Sequence, residues 1–313
     1  MTRWLAAACA AVFLTACASA PTLRSQWPAS RPAELTATPF FPQTDYQCGP
    51  AALATVLQAS GVAVQPDQLA AQVYLPGRKG SLQLELVAAA RRHQRLPYVL
   101  KPEIDAIFEE VAAGRPVLLL QNLGLSWVPV WHYAVVVGVD PVAGQVILRS
   151  GREQRRVLDY RHFEQSWRLG GRWAMVVVPP EQPPATANAL DWLAAANAFE
   201  SLQQPQLARS AYAAAIERWP ESALAWQAQG NARYGTGDLR AARAAFVEAL
   251  RLAPDAAGYN NLAQTELDLG CVEAAREALQ QASALPATPA VSAALQETTA
   301  ALLRAPANLR CSR

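Results

Sequence analysis

The sequence predicts a mixed α+β domain followed by an all-α domain of repeats, and three observations carry that prediction. From Pro39 to Val178, short amphipathic helical patterns alternate with β-branched runs such as Val135-Val136-Val137 and Val176-Val177-Val178. Pro179, Pro180, Pro183 and Pro184 then fall within eight residues, a semi-rigid break. Beyond it the chain turns to Ala, Leu, Gln, Arg and Glu, good helix formers throughout, with a spacing of 34 residues between like positions. A length of 313 residues fits two such domains. At 52% hydrophobic and 17% charged the chain is far too apolar to be disordered. Lys+Arg 27 against Asp+Glu 25 leaves +2, and Lys79 and Lys101 are the only lysines. With no basic cluster there is no electrostatic case for nucleic acid or for a polybasic membrane surface. Five cysteines exclude a disulfide-built miniature fold. No stretch of about 20 apolar residues follows the N-terminus, which excludes a polytopic membrane protein.

Each segment can be justified in order. Arg3, the apolar run Trp4–Leu14 and the small residues after it read as a secretory signal covering residues 1–16. Leu14-Thr15-Ala16-Cys17 resembles a bacterial lipobox, which implies lipidation of Cys17; an ordinary signal peptide cleaved near Ala18-Ser19-Ala20 is the alternative. Ala18 and Ser19 in place of Asp resemble the pattern of Gram-negative lipoproteins bound for the outer membrane, facing the periplasm. Residues 17–37, rich in Pro, Ser, Thr and Ala, read as a tether. In residues 38–178, helices are expected near 50–59, 67–73, 82–93 and 103–113, with a short one around His162. Strands are expected near 116–121, 132–139, 145–150, 154–158 and 173–178. Residues 179–187 form the linker, across which few hydrogen bonds are expected, so that the domains on either side act as separable units.

In residues 188–285 the pairs Trp192/Trp226, Ala208/Ala242, Tyr212/Phe246, Ala215/Ala249 and Pro220/Pro254 are each 34 apart. Ala263, Ala275, Leu279 and Ala282 carry a third copy at a spacing of 33. Small residues let paired helices approach, aromatics fill the groove between them, and the proline ends the second helix. This pattern resembles the tetratricopeptide repeat, which implies a surface for a protein partner; an Ala-rich bundle is the plainer alternative. Residues 286–313 read as a C-terminal cap and tail.

The chemistry is concentrated in Gln43…Gln47-Cys48-Gly49-Pro50-Ala51-Ala52-Leu53. Pro50 suits a first helical turn, and Leu53, Val56 and Leu57 mark a buried face ended by Gly61. Cys48 then sits at a helix N-terminus, whose dipole and free N–H groups favour thiolate over the inert state of a buried structural cysteine. A thiolate nucleophile needs an imidazole partner. His93 follows two arginines on a surface helix and His162 lies in another short helix, whereas His132 enters the apolar run Tyr133–Gly138. A ring there must satisfy both nitrogens, with the thiol or with a plain core hydrogen bond. His132 is the candidate.

Together, Gln43…Cys48-Gly49-Pro50-Ala51 and His132-Tyr133-Ala134-Val135-Val136-Val137-Gly138 resemble the papain-like cysteine peptidases that process double-glycine bacteriocin leaders. The resemblance implies an α+β papain-like domain, with a nucleophile-bearing helix against an antiparallel sheet. It implies Cys48 as nucleophile, His132 as general base and acid, and Gln43 as oxyanion donor. One departure stands out. Relatives carry an orienting Asp on the strand after the histidine strand, and this chain reads Ile147-Leu148-Arg149-Ser150-Gly151 there. Asp140-Pro141 is eight residues past His132, about 26 Å along a straight strand, and fits a hairpin turn. Ser150 is therefore the candidate orienting group, with Asn122 as another source.

No Walker-type loop and no paired Cys-x-x-Cys is present, so no cofactor and no metal is expected. The leading reading is a lipid-anchored periplasmic cysteine peptidase acting on a peptide or protein, with repeats that recruit a protein partner or substrate. The alternatives are a non-catalytic adaptor working through its repeats, or acyl transfer by the same dyad. If Cys48 is a free nucleophile, Cys271 and Cys311 are left either to pair with each other or to remain thiols.

Overall fold

The computed structural model describes residues 31–43, 47–306 and 311. The signal and Cys17 lie outside these residues. The N-terminal domain contains α1 (Cys48–Ala59), α2 (Pro66–Val73), a short 3₁₀ turn (Pro76–Arg78), α3 (Gln83–Arg92), α4 (Ile104–Ala112) and α5 (Tyr160–Leu169). Its strands are β1 (Ala33–Glu34), β2 (Leu96–Val99), β3 (Val117–Asn122), β4 (Trp131–Asp140), β5 (Gln145–Ser150), β6 (Glu153–Asp159) and β7 (Ala174–Val178). They form one antiparallel sheet in the order β2-β7-β3-β4-β5-β6, with β1 on β4. The expected elements are present, and β1, β2 and the last turns of α5 are additional. β2 was illegible because Pro97 interrupts its four residues; it is tolerated because β2 lies at the end of the sheet.

Strand alternation divides the core between two faces. Leu118, Leu120, Tyr133, Val135, Val137, Met175 and Val177 pack with α1, α2 and α3. Val117, Leu119, Ala134, Val136, Ala174, Val176 and Val178 pack on the other face, with α4, Phe163 and Trp167. A strand buried on both faces reads as a continuous apolar run, and residues 133–137 are such a run. In α1, Pro50 occupies the first turn, where its missing N–H costs no helical bond. Gly61, at φ +88°, sits just beyond the end of the helix in a conformation that disfavours other residues.

The end of the predicted tether belongs to the fold. β3 pairs with β4 only as far as Val136, and β1 takes up the same side at Gly138 and Val139. Gly138 eases the approach, since a Cβ would lie 3.1 Å from the Ala33 carbonyl oxygen, a tight contact. The segment after β1 is held by Arg149, which is 4% exposed. Its guanidinium donates to the carbonyls of Thr36 (3.1 Å), Thr38 (3.2 Å) and Gln154. Backbone carbonyls accept its hydrogen bonds, and the Glu34 carboxylate adds a favourable charge.

The C-terminal domain is helical: α6 (Ala189–Ser201), α7 (Pro205–Arg218), α8 (Ala223–Gly235), α9 (Leu239–Leu252), α10 (Ala256–Asp268), α11 (Val272–Ser283) and α12 (Pro289–Arg304). Gly230 is where paired helices meet, because a Cβ would fall 2.5 Å from the Phe246 ring. Cys271 and Cys311 are disulfide-bonded, closing a separation of 40 residues. Such a loop is worth about 2–4 kcal/mol through the unfolded chain.

The expected independence of the two domains is not what the structure shows. A single apolar cluster runs from Leu96, Tyr98 and Val178 into Trp192, Ala196 and Phe199. Trp192 is 0% exposed, its ring centroid lies 6.5 Å from that of Tyr98, and its indole N–H donates to the Ala211 carbonyl at 2.8 Å. Glu110, fully buried on α4, accepts from the Thr186 N–H at 2.7 Å and hydroxyl at 2.8 Å, and pairs with Arg115 at 3.4 Å. Arg218 donates to the carbonyls of Pro183, Pro184 and Ala185. Prolines lack donors but keep acceptors, and an arginine from the repeats uses them.

Candidate active site

Cys48 is the first residue of α1, and His132 is the second residue of β4. Both line one cavity of about 1070 Å³, together with Gln43, Tyr133 and Gly151. Among the described residues, none from the repeats lines it. Gln43 is placed by its backbone N–H, which donates to the Gly151 carbonyl at 2.9 Å. The Arg149 clamp on residues 36–38 thus fixes the strand of chain that delivers Gln43.

The imidazole of His132 is oriented by Ser150, with Nε2 2.9 Å from the hydroxyl oxygen. Asn122 does not perform this task. Its carboxamide oxygen accepts from the N–H groups of Gly124 and Val130, both at 2.9 Å, and its amide donates to the Leu125 carbonyl. Asp140 caps its own turn by accepting from the N–H groups of Val142 and Ala143. His93 ends α3 beside Gln72, and His162 is exposed beside Asp159; neither lines the cavity.

The electrostatics differ from the thiolate expected at a helix N-terminus. Burial pushes the Cys48 thiol up, and the N–H groups of Tyr133, Gly49 and Cys48 offset this only in part. Burial, with the cation of Arg156, lowers His132 to about 4. Desolvation penalises both charged forms, and among the described residues no carboxylate is paired with His132, which favours neutral thiol and neutral imidazole.

Sequence reasoning missed Tyr133. Its hydroxyl donates to the Ser81 carbonyl at 3.2 Å and its ring meets Trp173 edge-on. This ties β4 to the chain before α3 and forms part of the cavity wall. As a strand residue amid valines it carried no separate signal. Gly170 was also silent, though a Cβ there would lie 2.3 Å from the Leu120 carbonyl oxygen, where α5 closes on β3.

A cysteine on a helix N-terminus, set against an antiparallel sheet that bears a histidine, defines the class of cysteine-peptidase-like domains. Comparison with known proteins makes this particular. Residues 35–175 match the Peptidase C39 like family, and residues 223–256 match the tetratricopeptide repeat. The N-terminal domain thus has a C39-like α+β architecture with an antiparallel sheet, and a helical tetratricopeptide-repeat region follows it. Among solved structures, a C39-like peptidase described from Bacillus anthracis is 20% identical, covering 50% of this chain and 100% of that one, with a TM-score of 0.41. The peptidase domain of Streptococcus ComA, a bifunctional ABC transporter in quorum sensing, is 19% identical over 45% of this chain and 98% of that one, with a TM-score of 0.38. Protein FlbA of Caulobacter vibrioides is 35% identical over 109 residues, which is 34% of this chain. The match spans 18% of that relative's length.

Proposed function

We propose that this protein is a cysteine peptidase of the bacterial cell envelope, anchored through a lipid on Cys17. The observation that carries the reading is the bond between His132 Nε2 and Ser150, in the cavity that also holds Cys48 and Gln43. With Nε2 engaged, Nδ1 is the nitrogen left to exchange a proton with the thiol. Cys48 Sγ attacks the peptide carbonyl as His132 takes the thiol proton, and the same proton passes to the leaving amine. The Gln43 amide and the Cys48 N–H stabilise the oxyanion, and water then releases the acyl group from sulfur. Because the resting pair is neutral, proton transfer accompanies attack instead of preceding it. The repeats recruit a protein, as substrate or partner. The Cys271–Cys311 disulfide supports an oxidising compartment.

The second reading, a non-catalytic adaptor, draws on one observation: among the described residues His132 is held by a serine hydroxyl and by no carboxylate. A thiol-reactive peptide probe tests between them. Labelling at Cys48 that is lost in Cys48→Ala and in His132→Ala supports the enzyme. Labelling no faster than that of a surface thiol supports the adaptor.

A further inference from the structure

Past Asn122, β3 runs into a hairpin of residues 123–131 that returns as β4 and carries no charged side chain. Leu123 N–H donates to the Val130 carbonyl at 2.8 Å, and Leu125 and Val128 exchange backbone bonds at 3.1 and 3.2 Å, which leaves Ser126 and Trp127 as the tip. The buried Asn122 carboxamide accepts from the N–H groups of Gly124 and Val130 and donates to the Leu125 carbonyl. Gly124 permits the close return, since a Cβ would lie 2.3 Å from the Val128 carbonyl oxygen. What this ordered frame holds out is apolar. Trp127 is 75%, Val128 60% and Leu125 53% exposed, and Leu123, Val130 and Trp131 are exposed beside them. Among the described residues, large apolar side chains left in water elsewhere occur singly along the chain, so this run calls for an occupant.

Pro129, Val130 and Trp131 line the cavity, but Leu125, Trp127 and Val128 do not, so a peptide held in the cleft leaves the tip in water. The N–H groups of Leu123, Gly124, Leu125, Val128 and Val130 are already bonded within the loop, and Pro129 has none. A surface that enters hydrocarbon needs its backbone satisfied in this way, whereas a partner adding a strand needs open backbone groups. Two tryptophans, each an apolar ring with one indole N–H, suit the boundary between lipid and water. We propose that the hairpin docks, tip first, into the surface of a lipid bilayer. The proposal rests on the envelope reading, which supplies the bilayer through the lipid on Cys17. The chain length allows both contacts at once. β1 pairs with β4 at Gly138, and the strand from there to Trp131 runs about 23 Å. The chain from Cys17 to Pro32 spans up to about 50 Å when extended.

The test is vesicle flotation of the chain from residue 17 onward carrying Cys17→Ser, so that neither the leader nor an acyl chain contributes. It is expected to float with neutral phosphatidylcholine vesicles and equally with vesicles containing phosphatidylglycerol. Added salt should not release it, because the hairpin carries no charge. Trp127→Ser and Leu125→Ser should each weaken partitioning by about 10-fold or more, and together they should abolish flotation. Both positions are at the surface and outside the cavity, so melting temperature and labelling of Cys48 by a soluble thiol probe should not change. No flotation, flotation that the double variant retains, or flotation that salt removes overturns the proposal. It is equally overturned if the protein stays off vesicles but forms a dimer that the same substitutions abolish, since the hairpin then meets a second copy. The anchor is tested separately, by mass spectrometry of the membrane fraction. An unacylated Cys17 removes the anchor, while flotation of the Cys17→Ser chain that the double variant loses still supports the hairpin. An acylated Cys17 without such flotation keeps the anchor and overturns the hairpin.

Discussion

At the seam between the domains, Glu110 is buried and every contact completes it: a backbone N–H, a hydroxyl and the Arg115 guanidinium. In the cleft, His132 is also drawn out of water, but its partner is a neutral serine and the cation of Arg156 disfavours its charged form. The seam therefore spends its polar groups on holding two domains in one arrangement. The cleft holds a base and a thiol in one cavity with, among the described residues, no carboxylate lining it. Rigid construction and reactive potential are separated between the seam and the cavity.

The sharpest way to break this comparison is Cys48→Ala. It should remove turnover, a loss on the order of 10⁴-fold or more, with the unfolding midpoint unchanged because no seam contact is touched. Turnover that persists in this variant places the chemistry elsewhere. Next in size is Trp192→Ala, which empties the seam of its largest side chain. A loss of about 3–5 kcal/mol is expected in denaturant unfolding, and truncation after Val178 should give a domain that aggregates or melts early. A truncated domain as stable as the full chain contradicts the shared core.

Gln43→Ala acts within the cleft alone. It should lower kcat by about 10²–10³-fold while Cys48 still takes a thiol probe, since an oxyanion donor matters only once the tetrahedral state forms. Equal loss of labelling and turnover instead assigns Gln43 a structural role. The smallest effect concerns pH. Burial raises the thiol and lowers the imidazole to about 4, so between that pH and the ordinary thiol range both groups are neutral. The alkylation rate of Cys48 should then climb steadily on the alkaline side, with no plateau at neutral pH. Ser150→Asp would place an anion on His132, favouring imidazolium and hence thiolate, and should move the profile to lower pH. A neutral-pH plateau in the unmodified protein would mean that an ion pair already exists.

The sequence by itself determined a large part of this protein. Continuous β-branched runs of valine, the proline cluster and the 34-residue spacing specify strands, break and repeats through local stereochemistry, which needs no distant partner. The candidate pair was legible for the same reason: Cys48 precedes a helical pattern, and His132 is the one histidine entering an apolar strand. What only the tertiary structure decided depends on residues far apart in the chain. Two residues of the supposed tether become β1 because β3 stops short and leaves the edge of β4 open. Ser150 rather than Asn122 meets the imidazole because strand register brings β5 to it, while Asn122 is consumed by its own loop. The proline stretch joins the domains because Glu110 and Arg218 reach it from either side. Even the charge state of Cys48 was set this way. A helix end favours thiolate by a local field, but burial by the assembled fold costs more, and that cost exists only once the chain has closed around the sulfur.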